Sequence, residues 1–166
     1  MNKQELEQEL EETRRRFTEL VNSIPERNYP LPTLNPEWTV GDILHHITLG
    51  PRAIALEIWL IVHARKLFSF VMSHFPSRIF NSLNAWFGRR KRRINRQGLL
   101  KAYGRAHSII LSGLMRMREE DLLKSVVYPV EFVSDLAGEV TPERLFRYVT
   151  AHFEMHERQL RRDSLV

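Results

Sequence analysis

The segment WTVGDILHHIT, residues 38–48, decides how the rest of the chain is read. Thr39 is placed to act as an N-cap, and Asp42, three positions on, completes a variant of the capping box while its charge suits the positive end of the helix dipole. A helix starts here. At 100° per residue, Ile43, Ile47, Gly50 and Ile54 fall on one side of it, His46 lies at the edge of that stripe, and His45 points nearly the other way. His46 is therefore the histidine directed inward.

A second segment, residues 147–160 (RYVTAHFEMHERQL), lies in a helix that opens with Thr141 as N-cap and Pro142 in the first turn, where a missing N–H does no harm. Leu145, Val149, His152 and His156 share one narrow stripe, with Phe146, Phe153 and Leu160 beside it. Two imidazoles one turn apart reach a common point. Glu154 sits on the opposite side and Glu157 well off the stripe, so the pair is all-nitrogen. An i, i+4 histidine pair is also an ordinary core feature when polar neighbours satisfy it, and spacing alone leaves both readings open. If the rings converge, His46, His152 and His156 make a three-imidazole set with an open position. A divalent metal there would lower the pKa of a bound water or accept a substrate atom. Asp42, one turn before His46, is placed either to accept that ring's second N–H or only to cap the helix. His107, inward-facing beside Tyr103, Leu111 and Leu114 on another helix, reads as a fourth ligand, a hydrogen-bond partner or a core residue.

The chain has 166 residues, 43% of them hydrophobic, which suffices for one core without covalent staples and predicts a single domain over residues 1–166. It has no cysteine, which excludes disulfides, thiolate metal sites and a protein-borne thiol nucleophile. Any metal must be held by nitrogen and oxygen. The N-terminus is charged from the start and lacks the apolar core of a signal peptide, giving a cytoplasmic expectation. Residues 53–75 form the most apolar stretch, but Glu57, Arg65 and Lys66 interrupt it, so no membrane span is expected.

Helical periodicity dominates the whole chain. A first helix is predicted from about Lys3 to about Ser23, ended by Pro25. A stiff loop with Pro25, Pro30, Pro32 and Pro36 leads to the helix at Thr39, which Pro51, following Gly50, should kink or break before the pattern resumes through Phe70. An irregular section from about Met72 to Arg96, a helix from about Gln97 to about Met117, and a connector with an ambiguous piece at residues 125–132 precede the last helix, which should run to about Arg162. Four long helices predict an all-α four-helix bundle with an irregular insert between helices two and three.

The tryptophan-led start at residues 38–48, followed by His-x-x-x-His in the last helix, resembles the DinB-like family of metal-binding four-helix bundles. Residues 118–129 (REEDLLKSVVYP) are similar to that family's segment after its third helix. The resemblance implies that His46, His152 and His156 are the ligands of a divalent metal, zinc or nickel before others. It also implies a distorted, often dimeric four-helix bundle that acts on a small-molecule substrate, either by activating the thiol of a low-molecular-weight cofactor for transfer or isomerisation or as a hydrolase. The catalytic group would then be the metal-bound water or thiol, since no separate base is evident. The Gly50-Pro51 step and the long insert depart from the family pattern where a substrate would enter.

The net charge of +5 is local, because residues 88–96 alone hold six basic side chains. Just before them, Ile79, Phe80, Leu83, Trp86 and Phe87 have the spacing of a short amphipathic helix, with Arg89, Arg90, Lys91, Arg92 and Arg93 following. This combination suits a lid or dimer surface packed on the bundle, its basic tail solvated; the alternative is peripheral contact with an anionic membrane or a protein partner. A non-catalytic, metal-stabilised bundle acting through residues 78–96 is accordingly the rival to an enzyme. Nucleic-acid binding is disfavoured, because the rest of the chain is near neutral.

Overall fold

The computed structural model describes residues 3–74, 95–130 and 134–160. Helix α1, Lys3–Ser23, buries Leu6, Leu10, Thr13, Phe17 and Leu20, the stripe expected of one amphipathic face. The proline-rich loop is held by a bridge between Pro32 and Thr39. Its carbonyls at Leu31 and Tyr29 accept the N–H groups of Val40 and Gly41, which open helix α2 (Val40–His63) and have no partner within it.

Helix α2 runs through Gly50 and Pro51 without interruption. Of the kink or break expected at that step, the break is not there; the chain breaks instead at Ala64 (φ −133°, ψ 33°), and α3, Arg65–His74, begins at once. Proline removes one backbone bond, whereas Ile43, Ile47, Ile54 and Ile58 keep the inner face of α2 buried on both sides of it. Met72, expected in irregular chain, is a buried residue of α3.

Helix α4, Arg96–Arg116, is capped by Asn95, whose Oδ1 accepts the Gly98 N–H at 2.7 Å. Two short strands, β1 (Val126–Tyr128) and β2 (Gly138–Val140), pair antiparallel with Val126 opposite Val140. The ambiguous segment thus resolves as one arm of a hairpin, and Tyr128 meets Phe68 of α3 edge-on at 6.1 Å. Helix α5, Pro142–Gln159, starts from the Thr141 cap as expected and stops at Leu160. Helices α2 and α1 each pack against both α4 and α5, completing an all-α bundle with a small hairpin. Residues 75–94, which include Phe80, Trp86, Phe87, Arg89, Arg90, Lys91, Arg92 and Arg93, lie outside the described residues.

Among the described residues the apolar interior has two clusters. One gathers Leu6, Leu10, Ile54, Ile58, Leu145 and Val149; the other gathers Phe17, Ile43, Ile47, Tyr103 and Phe153. Along α2 the change comes between Ile47 and Ile54, and along α5 between Val149 and Phe153. His152 falls in that seam, with His46 and His156 just beyond it on the side of the second cluster.

Candidate metal centre

His46 projects from the second turn of α2, His152 and His156 from successive turns of α5, and one ring nitrogen of each lies within 4.8 Å of the others. His152 Nε2 is 3.1 Å from His46 Nε2. The three ring centroids are 4.5 to 5.0 Å apart. His152 and His156 are only 9% and 7% exposed, and His46 is half-buried. The three side chains singled out in the sequence are therefore brought together.

Burial disfavours the imidazolium form of each ring, and the neighbouring histidines add to that for His46 and His152. His46 is pushed down to about 3, His152 falls well below the ordinary histidine range, and His156 is lowered against the opposing hydrogen bond from Gln159. All three are neutral at physiological pH. A neutral imidazole has one lone-pair nitrogen to offer, so which nitrogen is free decides what the cluster can hold.

For His156 the choice is made by Gln159, three residues on, whose Oε1 lies 3.0 Å from His156 Nδ1. An amide oxygen only accepts, so Nδ1 carries the hydrogen and Nε2 keeps the lone pair. For His152, Nε2 is the atom turned to His46. His46 Nδ1 is buried and has no hydrogen-bond partner among the described residues. Trp38 forms one wall, its ring parallel to His156 within 4° at 6.1 Å and edge-on to His46 at 4.7 Å. Thr33 steadies that wall, because its buried hydroxyl donates to the Trp38 carbonyl at 3.0 Å.

These residues fit a metal. Two nitrogens bound about 2.0–2.1 Å from one tetrahedral ion stand about 3.3 Å apart, close to the His46–His152 separation, and an all-imidazole donor set suits zinc, nickel and similar borderline ions. The same 3.1 Å also suits a hydrogen bond between two neutral imidazoles.

Two further candidates take other roles. Asp42 caps the helix, its Oδ2 accepting from the Thr39 N–H at 3.0 Å and the Thr39 hydroxyl at 2.6 Å, and it does not bond His46, whose buried Nδ1 has no partner among the described residues. The capping use prevails because the first-turn carboxylate meets the helix's own unpaired N–H groups before it meets a ring one turn away. His107 does not join the cluster. It is buried on α4, with Nε2 3.6 Å from Glu11 Oε1 of α1, and so belongs to the α1–α4 interface. Glu154 and Glu157 both pair with Arg16 of α1, at 2.7 and 2.9 Å, in keeping with their outward placement.

Sequence reasoning missed Trp38 as a wall and Gln159 as the group that fixes a tautomer. A polar residue three positions after a histidine on a helix is the signal that points to Gln159. It also missed Glu57, three turns beyond His46 on nearly the same face of α2. Its Oε2 accepts the Tyr128 hydroxyl at 2.7 Å, and burial pushes its carboxyl up to about 7. Tyr148, one turn before His152, has its ring 6.1 Å from that of His152. Burial first, then Asp135 and Glu57, raises its hydroxyl to about 12.

Two solved structures share the fold: the mycothiol-dependent maleylpyruvate isomerase and a histidine-to-alanine mutant of it, with TM-scores of 0.68 and 0.70 and 9% sequence identity. The superposition covers 96% of this chain and 61% of each of those, so the chain spans about three-fifths of their length. No curated protein matches the sequence. The model of the DinB superfamily matches residues 9–160, from the first helix through both histidine-bearing segments, and the chain belongs to that superfamily.

Proposed function

We propose that His46, His152 and His156 hold a divalent metal ion. The protein is then a metal-dependent enzyme that activates the thiol of a low-molecular-weight cofactor, or water, for attack on a small electrophilic molecule. The observation that supports this reading is the convergence of three neutral imidazole nitrogens within 4.8 Å from two helices. The thiol is suggested by the fold shared with a mycothiol-dependent enzyme, which is an analogy of fold.

When bound, the ion supplies Lewis acidity, lowering the pKa of a thiol or water at its open position. The chain's part is to present lone pairs and to shape the surroundings. Gln159 holds the His156 hydrogen at Nδ1 and thereby aims Nε2 inward. No carboxylate joins the triad among the described residues, so its ligands leave a dication's charge uncompensated and favour an anionic fourth ligand. Trp38 shields the His46 and His156 rings on one side and excludes water there.

Elemental analysis of the purified wild type beside His152→Ala tests the site. Metal in the first and little in the second is expected; equal content in both removes the reading. With metal established, turnover of electrophiles is followed with bacillithiol, mycothiol, glutathione and no thiol. Thiol-dependent turnover supports transfer, and thiol-independent cleavage supports hydrolysis. Metal with neither would leave the rival, a metal-stabilised bundle working through residues 78–96.

A further inference from the structure

Gly50 lies one turn beyond His46 on α2, and a Cβ built on it would stand 2.8 Å from His152 Nδ1 and 2.9 Å from His152 Cε1. Real Cβ atoms essentially never come that close to another heavy atom. One edge of the His152 ring therefore rests against the bare backbone of α2, while its Nε2 is 3.1 Å from His46 on the same helix. The ring is gripped between two successive turns of α2.

Position 50 is helical and no positive φ there calls for glycine, so its conformational freedom is not the reason it is used. Helix propensity favours alanine at this site, and the following Pro51 already weakens α2. Two poor helix formers stand together where α2 passes the ring. The benefit is room.

We infer that Gly50 is a positioning residue of the histidine cluster: its missing Cβ admits the His152 ring edge-on and turns Nε2 toward His46. This inference rests on the metal reading above. Any side chain at position 50 has to displace the ring, which moves one of three ligands without removing it. Gly104 on α4 provides the contrast, because a Cβ there meets nothing within 4 Å.

The test compares zinc and cobalt titrations, read calorimetrically, with thermal unfolding of the metal-free protein for the wild type, Gly50→Ala, Gly104→Ala and His152→Ala. Gly50→Ala should bind metal about 10- to 100-fold more weakly, the range for changes that misorient a ligand. Gly104→Ala should bind like the wild type. A wild type that takes up no metal overturns the metal reading; a wild type that binds and a Gly50→Ala variant of equal affinity overturns only the role of Gly50. If Gly50→Ala also loses thermal stability, the Gly50→Ala/His152→Ala double variant decides the cause. Relief of that loss when the ring is gone supports the close approach, and an undiminished loss rejects it.

Discussion

Glu57 and the three histidines are titratable groups taken out of water, and burial moves them in opposite directions along the pH axis. Burial pushes the folded Glu57 carboxyl up to about 7 from an ordinary 4.5, so between those limits the folded protein holds the extra proton. Stability therefore falls as pH rises through that window. The histidines are lowered from 6.5, so there the unfolded chain takes protons first, and the metal-free fold loses stability as pH drops below about 6.5. Glu57→Gln keeps an acceptor for Tyr128 and abolishes the carboxyl's part. Relative to the wild type it should be nearly neutral at pH 4.5 and more stable by about 2–3 kcal/mol at pH 8. Urea unfolding at the two pH values checks this, and a difference that does not change with pH would contradict it. Little of this was legible in the sequence, where Glu57 is one charge interrupting an apolar stretch. Its partner, Tyr128, comes from a strand 71 positions away.

At the scale of the element, α2 shows which signals can be read locally. Thr39 and Asp42 act within four residues of each other, and both bonds of the expected capping box are present. Thr39→Ala should lower stability by about 1 kcal/mol, seen as a reduced urea midpoint with an unchanged slope. A loss of similar size with a changed slope would point to a different unfolding reaction. At Gly50-Pro51 proline's local penalty taken alone allows a break; in the fold, burial of Ile47, Ile54 and Ile58 outweighs one missing bond and the helix continues. The opposite failure occurs at Ala64, where a helical pattern continues but the chain turns so that Phe68 and Met72 reach the core. At Val126–Tyr128 the periodicity was ambiguous, because a three-residue strand is defined by its partner, Gly138–Val140, and not by its own pattern.

Across the whole molecule, the proposed ligands join α2 to α5 where the two apolar clusters adjoin, so metal binding and folding should be coupled. Zinc at about a hundredfold excess over its Kd should add about 2.7 kcal/mol to stability. A chelator should reverse the accompanying rise in melting temperature, and His152→Ala should show none; an equal rise in that variant would place the ion elsewhere. The sequence by itself determined where the four bundle helices start, their order, and the selection of His46 over His45, because caps and stripes are set by residues three or four positions apart. It could only name His46, His152 and His156 as inward-facing. That their rings meet, that Asp42 is spent on capping and His107 on Glu11, and that Gly50 makes room for His152 were decided by the tertiary structure. Each depends on the distance and rotation between helices far apart in the chain, and these are fixed by packing, which no local pattern encodes.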